Sequence, residues 1–416
     1  MLKTELLEII ASGENSGIEF KRDDVRPEQV AKEIVAMVNF KGGRLLLGVE
    51  DDGAISGIQR PQLEEWVMNI FAAKIHPMIL PFYEEVVMDD GKRVAVITFT
   101  EGSSKPYVLR HEGREEIYIR IGTTSRRATR EQQARLHQAG GMLHTELLPV
   151  SGAMIEALDR QRLSDYLQHV MRDVALPQLE TEWIHRLSAL GFMTEGPGST
   201  SVCTIAGVLL FGHAPRRFLR QAGVRLMIFN GTDKTYAARY DEILDGPLTA
   251  LWTTSTDSGR VCTSAGLIEN LDTVLKPFIV EEQDVIIEGL RKNSVPRFSR
   301  EVIREVLVNA LAHRDWTRFT DIELIVYSDK LELTSPGPLP NTMTIEKMIA
   351  GQRSPRNPLI VDVLRDYGYV DARGMGIRNK VMPIVQQRTG KNPVFQETED
   401  YLKTIIPAVI SSETGA

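Results

Sequence analysis

Cysteine is nearly absent from this chain, with only Cys203 and Cys262 in 416 residues. Two thiols so far apart form neither a zinc motif nor a disulfide framework, and they suit a reducing cytoplasm. Cys203 with His213 supplies too few ligands for a metal centre. Positive charge is also in deficit, 49 Lys and Arg against 56 Asp and Glu, for a net charge of -7. That excludes a protein basic all over, but leaves room for a local patch that meets a phosphate backbone. No apolar run reaches the ~18 residues of a membrane span. The N-terminus MLKTELLEII lacks the basic flank, apolar core and small-residue cleavage site of a secretory signal. A soluble cytoplasmic protein with no membrane partner is predicted. A Walker-type GxxxxGK[ST] is missing too, because Thr389-Gly390-Lys391 has no upstream glycine, which argues against a P-loop ATPase.

What is present begins with Ser299 to Trp316, SREVIREVLVNALAHRDW. Apolar residues at Val302, Ile303, Val306, Leu307, Ala310 and Leu311 recur with a period near 3.6, so a helix with one buried face is predicted. Glu305, Asn309 and His313 stand four residues apart and share one side of it. A carboxylate beside an amide at a cleft edge suits Mg and water activation: the amide oxygen is a hard ligand, and Glu orients or deprotonates water.

Composition is ordinary for a globular chain, 42% hydrophobic and 25% charged, and its length allows two to four domains. Boundaries are predicted near 140 and 290, giving segments 1–140, 141–290 and 291–410. The first reads as a mixed α/β domain. Helices are expected at Met1 to Ala11, Pro27 to Val38 and Gln62 to Ile75, and strands at Arg44 to Glu50, Arg93 to Phe99 and Glu116 to Ile121. Glu14 and Glu19 before the second helix and Asp51 or Asp52 after the first strand admit two readings. They either gather a divalent metal for phosphodiester hydrolysis, with Lys21 beside them, or serve as turn residues. Arg110, Arg114, Arg120, Arg126, Arg127, Arg130 and Arg135 cluster with Thr123, Thr124 and Ser125, a composition suited to phosphate oxygens. Four acids, Glu112, Glu115, Glu116 and Glu131, share the region, so a plain solvated surface stays open.

The run GENSGIEFKRD followed by IVAMVNFKGGRLLLGVEDDGAISGI resembles the Schlafen-type AlbA domain over about residues 10 to 130. The resemblance implies nucleic-acid binding, through residues such as Lys21, Arg120, Arg126 and Arg127. In nuclease members of the Schlafen group a glutamate pair and a later aspartate cut; Glu14 and Glu19 match the pair, with Asp51 or Asp52 as the aspartate.

In the middle segment, helices are predicted at Ile155 to Arg172, Leu179 to Leu190 and Gly266 to Pro277. Strands are predicted at Ser201 to Phe211 and Ala222 to Asn230, with a linking loop from Asp241 to Thr249. The second helix, its LGFMTEG exit and the following strand suggest a winged-helix-like unit, though helix, turn and strand is also a common local arrangement.

Downstream, DIELIVYSDKLELTSPGPLP reads as two strands with a Gly-Pro exit, and RGMGIRNKVMP places Gly374 and Gly376 before a short helix, where backbone N–H groups would face phosphate. EVLVNALAHRDW, LELTSPGPLP and RSPRNPLIVDVLRDYGYVDARGMGI together resemble the divergent GHKL-type, Bergerat-like ATP-binding domain of bacterial and archaeal ATP-binding regulators. That resemblance, over about residues 300 to 385, implies an α/β sandwich that binds ATP and Mg. Glu305 would be the catalytic glutamate and Asn309 the Mg ligand, with His313 near the helix end. Gly337 would form the adenine-side turn, and Gly374 and Gly376 the pair near the phosphates. Ser335-Pro336-Gly337 stands where the family carries Asp-x-Gly. The leading expectation is a nucleic-acid-binding regulator, DNA or RNA, whose slowly hydrolysed nucleotide closes a lid or joins subunits into a homo-oligomer. The alternatives are a metal-dependent nuclease, a non-enzymatic DNA-binding transcriptional regulator and a scaffold without nucleotide.

Overall fold

The computed structural model describes residues 1–141, 144–172, 175–255, 259–288, 291–340, 343–370 and 375–409. The chain divides into two compact units, Met1–Leu143 and His144–Ala416.

In the first unit, Ile18–Lys21 and Gly42–Leu47 pair in parallel, and a parallel pair needs a crossover between its strands. Pro27–Val38 is that crossover, entered through a proline at its first turn. Arg93–Thr100 and then Phe82–Val87 extend the sheet antiparallel. Successive side chains of a strand point to opposite faces. Leu45 and Leu47 therefore pack with Val30, Ile34 and Val38 of the crossover helix, while Leu46 joins Leu6, Phe20 and Val96 on the other face. Asn39 ties a second layer to this one: its Nδ2 donates to the carbonyls of Tyr107 (2.8 Å) and Tyr118 (2.9 Å), and its Oδ1 accepts from Tyr107 N at 2.8 Å. Tyr118–Ile121 and Thr124–Arg127 form a hairpin beside that anchor.

The second unit is built on a six-stranded sheet, in the order Tyr240–Leu244, Val224–Ile228, Ile322–Val326, Lys330–Pro336, Tyr401–Pro407, Val394–Glu397. Val224–Ile228 and Ile322–Val326 are parallel, and all other neighbours antiparallel. The helix Arg300–His313 lays Val302, Val306 and Ala310 into one core with Leu324, Val326, Leu331 and Leu333 of the sheet.

The segment 141–290 is thus not a separate body, because two of its strands sit inside the C-terminal sheet. Two sequence expectations there are corrected. Tyr240–Leu244 is a strand where a linking loop was expected, its conformation set by pairing with Val224–Ile228. The apolar run after Cys203 is a helix, Ile205–Phe211, capped by the Thr204 hydroxyl accepting from Gly207 N; every residue of it is buried, and an apolar run buried all round has no period to tell helix from strand. The helix Glu180–Ala189 runs into an antiparallel hairpin, Met193–Glu195 with Ser201–Cys203, the local arrangement that a winged helix requires. Among the described residues, no helix is long and apolar enough to cross a membrane.

Candidate functional site

Glu305, Asn309 and His313 line one cavity of about 290 Å³ on the exposed side of their helix. Across it stand Leu333, Ser335 and Gly337 of one strand and its exit, Thr404 and Leu402 of the next, and Gly376 with Ile377. Asn309 Nδ2 donates to Glu305 Oε1 at 3.1 Å, a contact that the i, i+4 spacing makes available. Gly376 sits so close to this pair that a Cβ placed there would overlap the Glu305 carboxylate. Gly376 has helical backbone angles, φ -59° and ψ -44°, so close approach and not conformation is what calls for glycine. Gly374 lies outside the described residues.

The other end of the cavity is built by the residues after the helix. Asp315 N donates to Pro336 O at 2.9 Å, and Ser335 Oγ donates to Ala310 O at 3.3 Å. Gly337 has φ +98°, and a Cβ on it would lie 2.5 Å from Asp315 Cβ. Asp315 is 2% exposed. Its carboxylate accepts from Thr317 N (2.9 Å) and Oγ1 (2.7 Å) and pairs with Arg318 (3.3 Å) and Arg356 (3.5 Å). Burial alone would raise its pKa, but Arg356, Thr317 and Arg318 hold the carboxyl below its ordinary value. Arg356 also donates to Pro338 O, so the ion pair clamps the turn that carries Gly337. Burial, with the Arg356 charge adding to it, pushes the His313 imidazole down to about 4, so the ring is neutral at pH 7.

Arg314 points away from the cavity and is fully buried. It donates to the carbonyls of Gln221 (2.7 Å), Arg318 (2.8 Å) and Thr320 (2.8 Å) and lies over the Trp316 ring at 4.3 Å. Its position fixes the helix end. Asp315, Arg356 and Thr404 are site-building residues that the sequence reading missed; the one signal for Asp315 and Arg356 was charge retained beside a helix end and a Gly-Pro turn, and Thr404, in the strand Tyr401–Pro407, had none.

In the first unit the sequence-predicted residues separate. Arg120 is buried, its guanidinium between Glu19 (2.6 Å) and Glu33 (2.9 Å), where it also donates to Asn15 O at 2.9 Å. The expectation that it faces phosphate is corrected, because its donors are committed to two buried carboxylates. Lys21 pairs with Glu19 and stands 3.9 Å from Glu14. Burial and the Glu19 charge raise the pKa of Glu14 against the pull of the Phe20 amide it accepts from. Asp51 and Asp52 are exposed, and Asp52 accepts from Ala54 N at 2.9 Å as a turn residue does. Among the described residues, no three His, Cys, Asp or Glu side chains converge to hold a metal ion. Arg126, Arg127, Arg130 and Arg135 are exposed.

Residues 14–129 match the family described as Schlafen, AlbA_2, and residues 320–406 match the one described as "Putative ATP-dependent DNA helicase recG C-terminal". The chain is thus similar to a Schlafen AlbA_2 domain in its first unit and to a RecG C-terminal domain in its second. Glu14, Glu19, Lys21, Arg120 and Arg127 all lie within the AlbA_2 match. The ATPase match contains Gly337, Arg356, Gly376 and Thr404 but begins after the Glu305 helix. Among solved structures, the DIP2311 protein from Corynebacterium diphtheriae is 21% identical over 98% of this chain and 80% of its own, with a TM-score of 0.43. The N-terminal domain of a RecG-related protein from Nitrosomonas europaea is 24% identical over 30% of this chain and 92% of its own, with a TM-score of 0.24. No curated protein matches the chain.

Proposed function

We propose that this protein is a nucleic-acid-binding regulator in which the C-terminal cleft binds ATP with Mg as a slowly hydrolysed conformational switch. The observation that carries this reading is the gathering of Glu305, Asn309 and His313 along one wall of a cavity, with Gly376 against the acid and Gly337 at the opposite end. The donor set fits the group. Asn309 spends its amide nitrogen on Glu305, which leaves Oδ1 as a neutral oxygen for a hard cation. Bound Mg would neutralise charge on the phosphates. Glu305, held by Asn309, would orient the attacking water and accept its proton. The bare backbone at Gly376 would let main-chain N–H groups approach the phosphate chain.

The AlbA_2 domain supplies the partner surface in this reading. Arg126, Arg127, Arg130 and Arg135 are exposed there, where they would meet phosphates of DNA or RNA, Arg127 by exchanging its 3.4 Å pairing with Glu116. Nucleotide state would bias nucleic-acid binding, the usual use of a bound nucleotide as a switch.

The test is ATP binding and phosphate release by the purified full chain with Mg, with and without single-stranded and double-stranded DNA and RNA, beside Asn309→Ala. Binding lost in the variant, with turnover changed by one polymer, supports the switch and identifies the polymer. ATP binding by neither protein would sink it.

A further inference from the structure

Resting on the nucleotide reading of the cleft, we propose that its base end accepts adenine and guanine nucleotides alike, with His313 as the side chain that reads the purine edge. Eight residues of helix separate Glu305 from His313, about 12 Å at 1.5 Å per residue. That span suits a triphosphate and ribose laid along the helix, with phosphate at the Glu305 and Gly376 end and the base beside His313, Ser335 and Gly337.

The polar groups that His313, Ser335 and Thr404 bring to this end carry no fixed sign. Among the described residues, the His313 ring and the Thr404 hydroxyl make no hydrogen bond within the protein, and both line the cavity. Ser335 Oγ adds a hydroxyl whose one bond, to Ala310 O, is long at 3.3 Å. A neutral imidazole donates from one nitrogen and accepts at the other, and a hydroxyl does both. The carboxylate nearest in the chain, Asp315, is turned behind the Gly337 turn, engaged by Thr317, Arg318 and Arg356, and does not line the cavity. Of the acids that do line it, Glu305 stands at the Gly376 end, and Asp362 is paired with Arg365 at 2.7 Å.

The two purines present opposite patterns at positions 1 and 6. Adenine offers an acceptor beside an amino donor, and guanine an N–H donor beside a carbonyl acceptor. A pocket with a buried group of fixed polarity rejects the wrong pattern strongly, because that group is left unpaired. Here a tautomer change of His313 and rotation of two hydroxyls satisfy either pattern. No group is stranded by the swap, so little discrimination follows.

The experiment is equilibrium binding of ATP and GTP, each with Mg, to the full-length protein and to His313→Leu and Thr404→Val. The proposal expects the two dissociation constants of the wild type within about tenfold of each other, and each weakened about tenfold in His313→Leu for the hydrogen bond lost. Thr404→Val, near isosteric, weakens both in the same sense and serves if the histidine variant fails to fold. ATP favoured a hundredfold or more over GTP would overturn the proposal while leaving the nucleotide cleft intact. Unchanged affinity for both in His313→Leu would remove the histidine from the role. Binding of neither nucleotide would defeat the cleft reading itself, a distinct result.

Discussion

Replacing Gly376 by alanine separates catalytic geometry from stability at the point where the two meet. The new methyl would occupy the space of the Glu305 carboxylate, so the acid must swing away and give up its 3.1 Å bond from Asn309. The backbone pays nothing, since φ -59° is helical and alanine in a helix gains about 0.5–1 kcal/mol over glycine. An off-rotamer glutamate costs about 0.5–1.5 kcal/mol and the lost hydrogen bond about 1 kcal/mol. The sum leaves the variant less stable by about 1 kcal/mol, a few degrees in Tm. The proposed phosphate release has no such cushion, because if Glu305 is the reacting group of the proposal, displacing it by about 1 Å costs on the order of a hundredfold. Gly337→Ala should behave in the opposite way. Its φ of +98° strains any L residue, and the Asp315 Cβ that its methyl would meet at 2.5 Å cannot rotate aside. Strain and overpacking together come to about 3–5 kcal/mol. Denaturant unfolding and phosphate release on both variants decide the matter. Wild-type phosphate release from a folded Gly376→Ala protein, or a larger stability loss there than in Gly337→Ala, would refute the reasoning.

Arg120→Met should destabilise the first unit by about 3–5 kcal/mol, because it removes the buried guanidinium shared by Glu19 and Glu33 and leaves them only Lys21 on one side and Ser125 Oγ with Lys32 on the other; a urea-unfolding loss under about 1 kcal/mol would contradict that. Arg126→Ala with Arg127→Ala should leave stability within about 0.5 kcal/mol and lower the salt dependence of nucleic-acid binding by about one unit of slope per residue, read from affinities over a salt series. Two buried groups should oppose each other in acid. His313, lowered from 6.5 to about 4, makes stability rise with pH between those values, since the unfolded chain binds the proton first. Glu146, raised by burial from 4.5 to about 7 although Leu359 N and Ile360 N donate to it at 2.9 Å, makes stability fall with pH over that interval. Each is worth about 3 kcal/mol, so Glu146→Gln should uncover the rise and His313→Leu the fall; parallel pH–stability curves for both variants and the wild type would count against the pair.

The helix Arg300–His313 was legible because its information is local. Period 3.6 fixed its buried face and the i, i+4 spacing fixed which polar groups would stand together, and both hold in Arg300–His313. What was not legible depends on partners far along the chain. Tyr240–Leu244 is a strand by virtue of Val224–Ile228, which in turn pairs with Ile322–Val326 after some hundred residues of intervening chain. Arg120 reads in sequence as one more arginine of a basic run, and only the fold brings it against Glu19 and Glu33. The basic run was therefore a mixture of a structural clamp and a solvated surface, which composition cannot divide. Asp315 and Arg356 were hidden for the same reason: their meaning lies in the pair, 41 positions apart.

The segment His313 to Trp316 shows how one helix end serves both cavity and scaffold. The last carbonyls of a helix have no partner within it. Here Ala312 O and Arg314 O both accept from Asn357 Nδ2 at 2.9 Å, from a side chain with 0% exposure, while Ala310 O takes Ser335 Oγ beside the Arg314 N–H at 3.1 Å. The helix end is thus closed by protein, where an open end would be closed by water. Arg314 then ties it outward to Gln221 and Thr320, and Asp315 ties it inward to the Gly337 turn. With its neighbours fixed on both sides, His313 is presented to the cavity from a rigid frame. Among the described residues its ring, like the Thr404 hydroxyl, makes no hydrogen bond and has no such partner to lose when a ligand arrives. A side chain so placed gives up little on binding, so under the proposed nucleotide reading the His313 end of the cleft meets either purine without stranding a protein group.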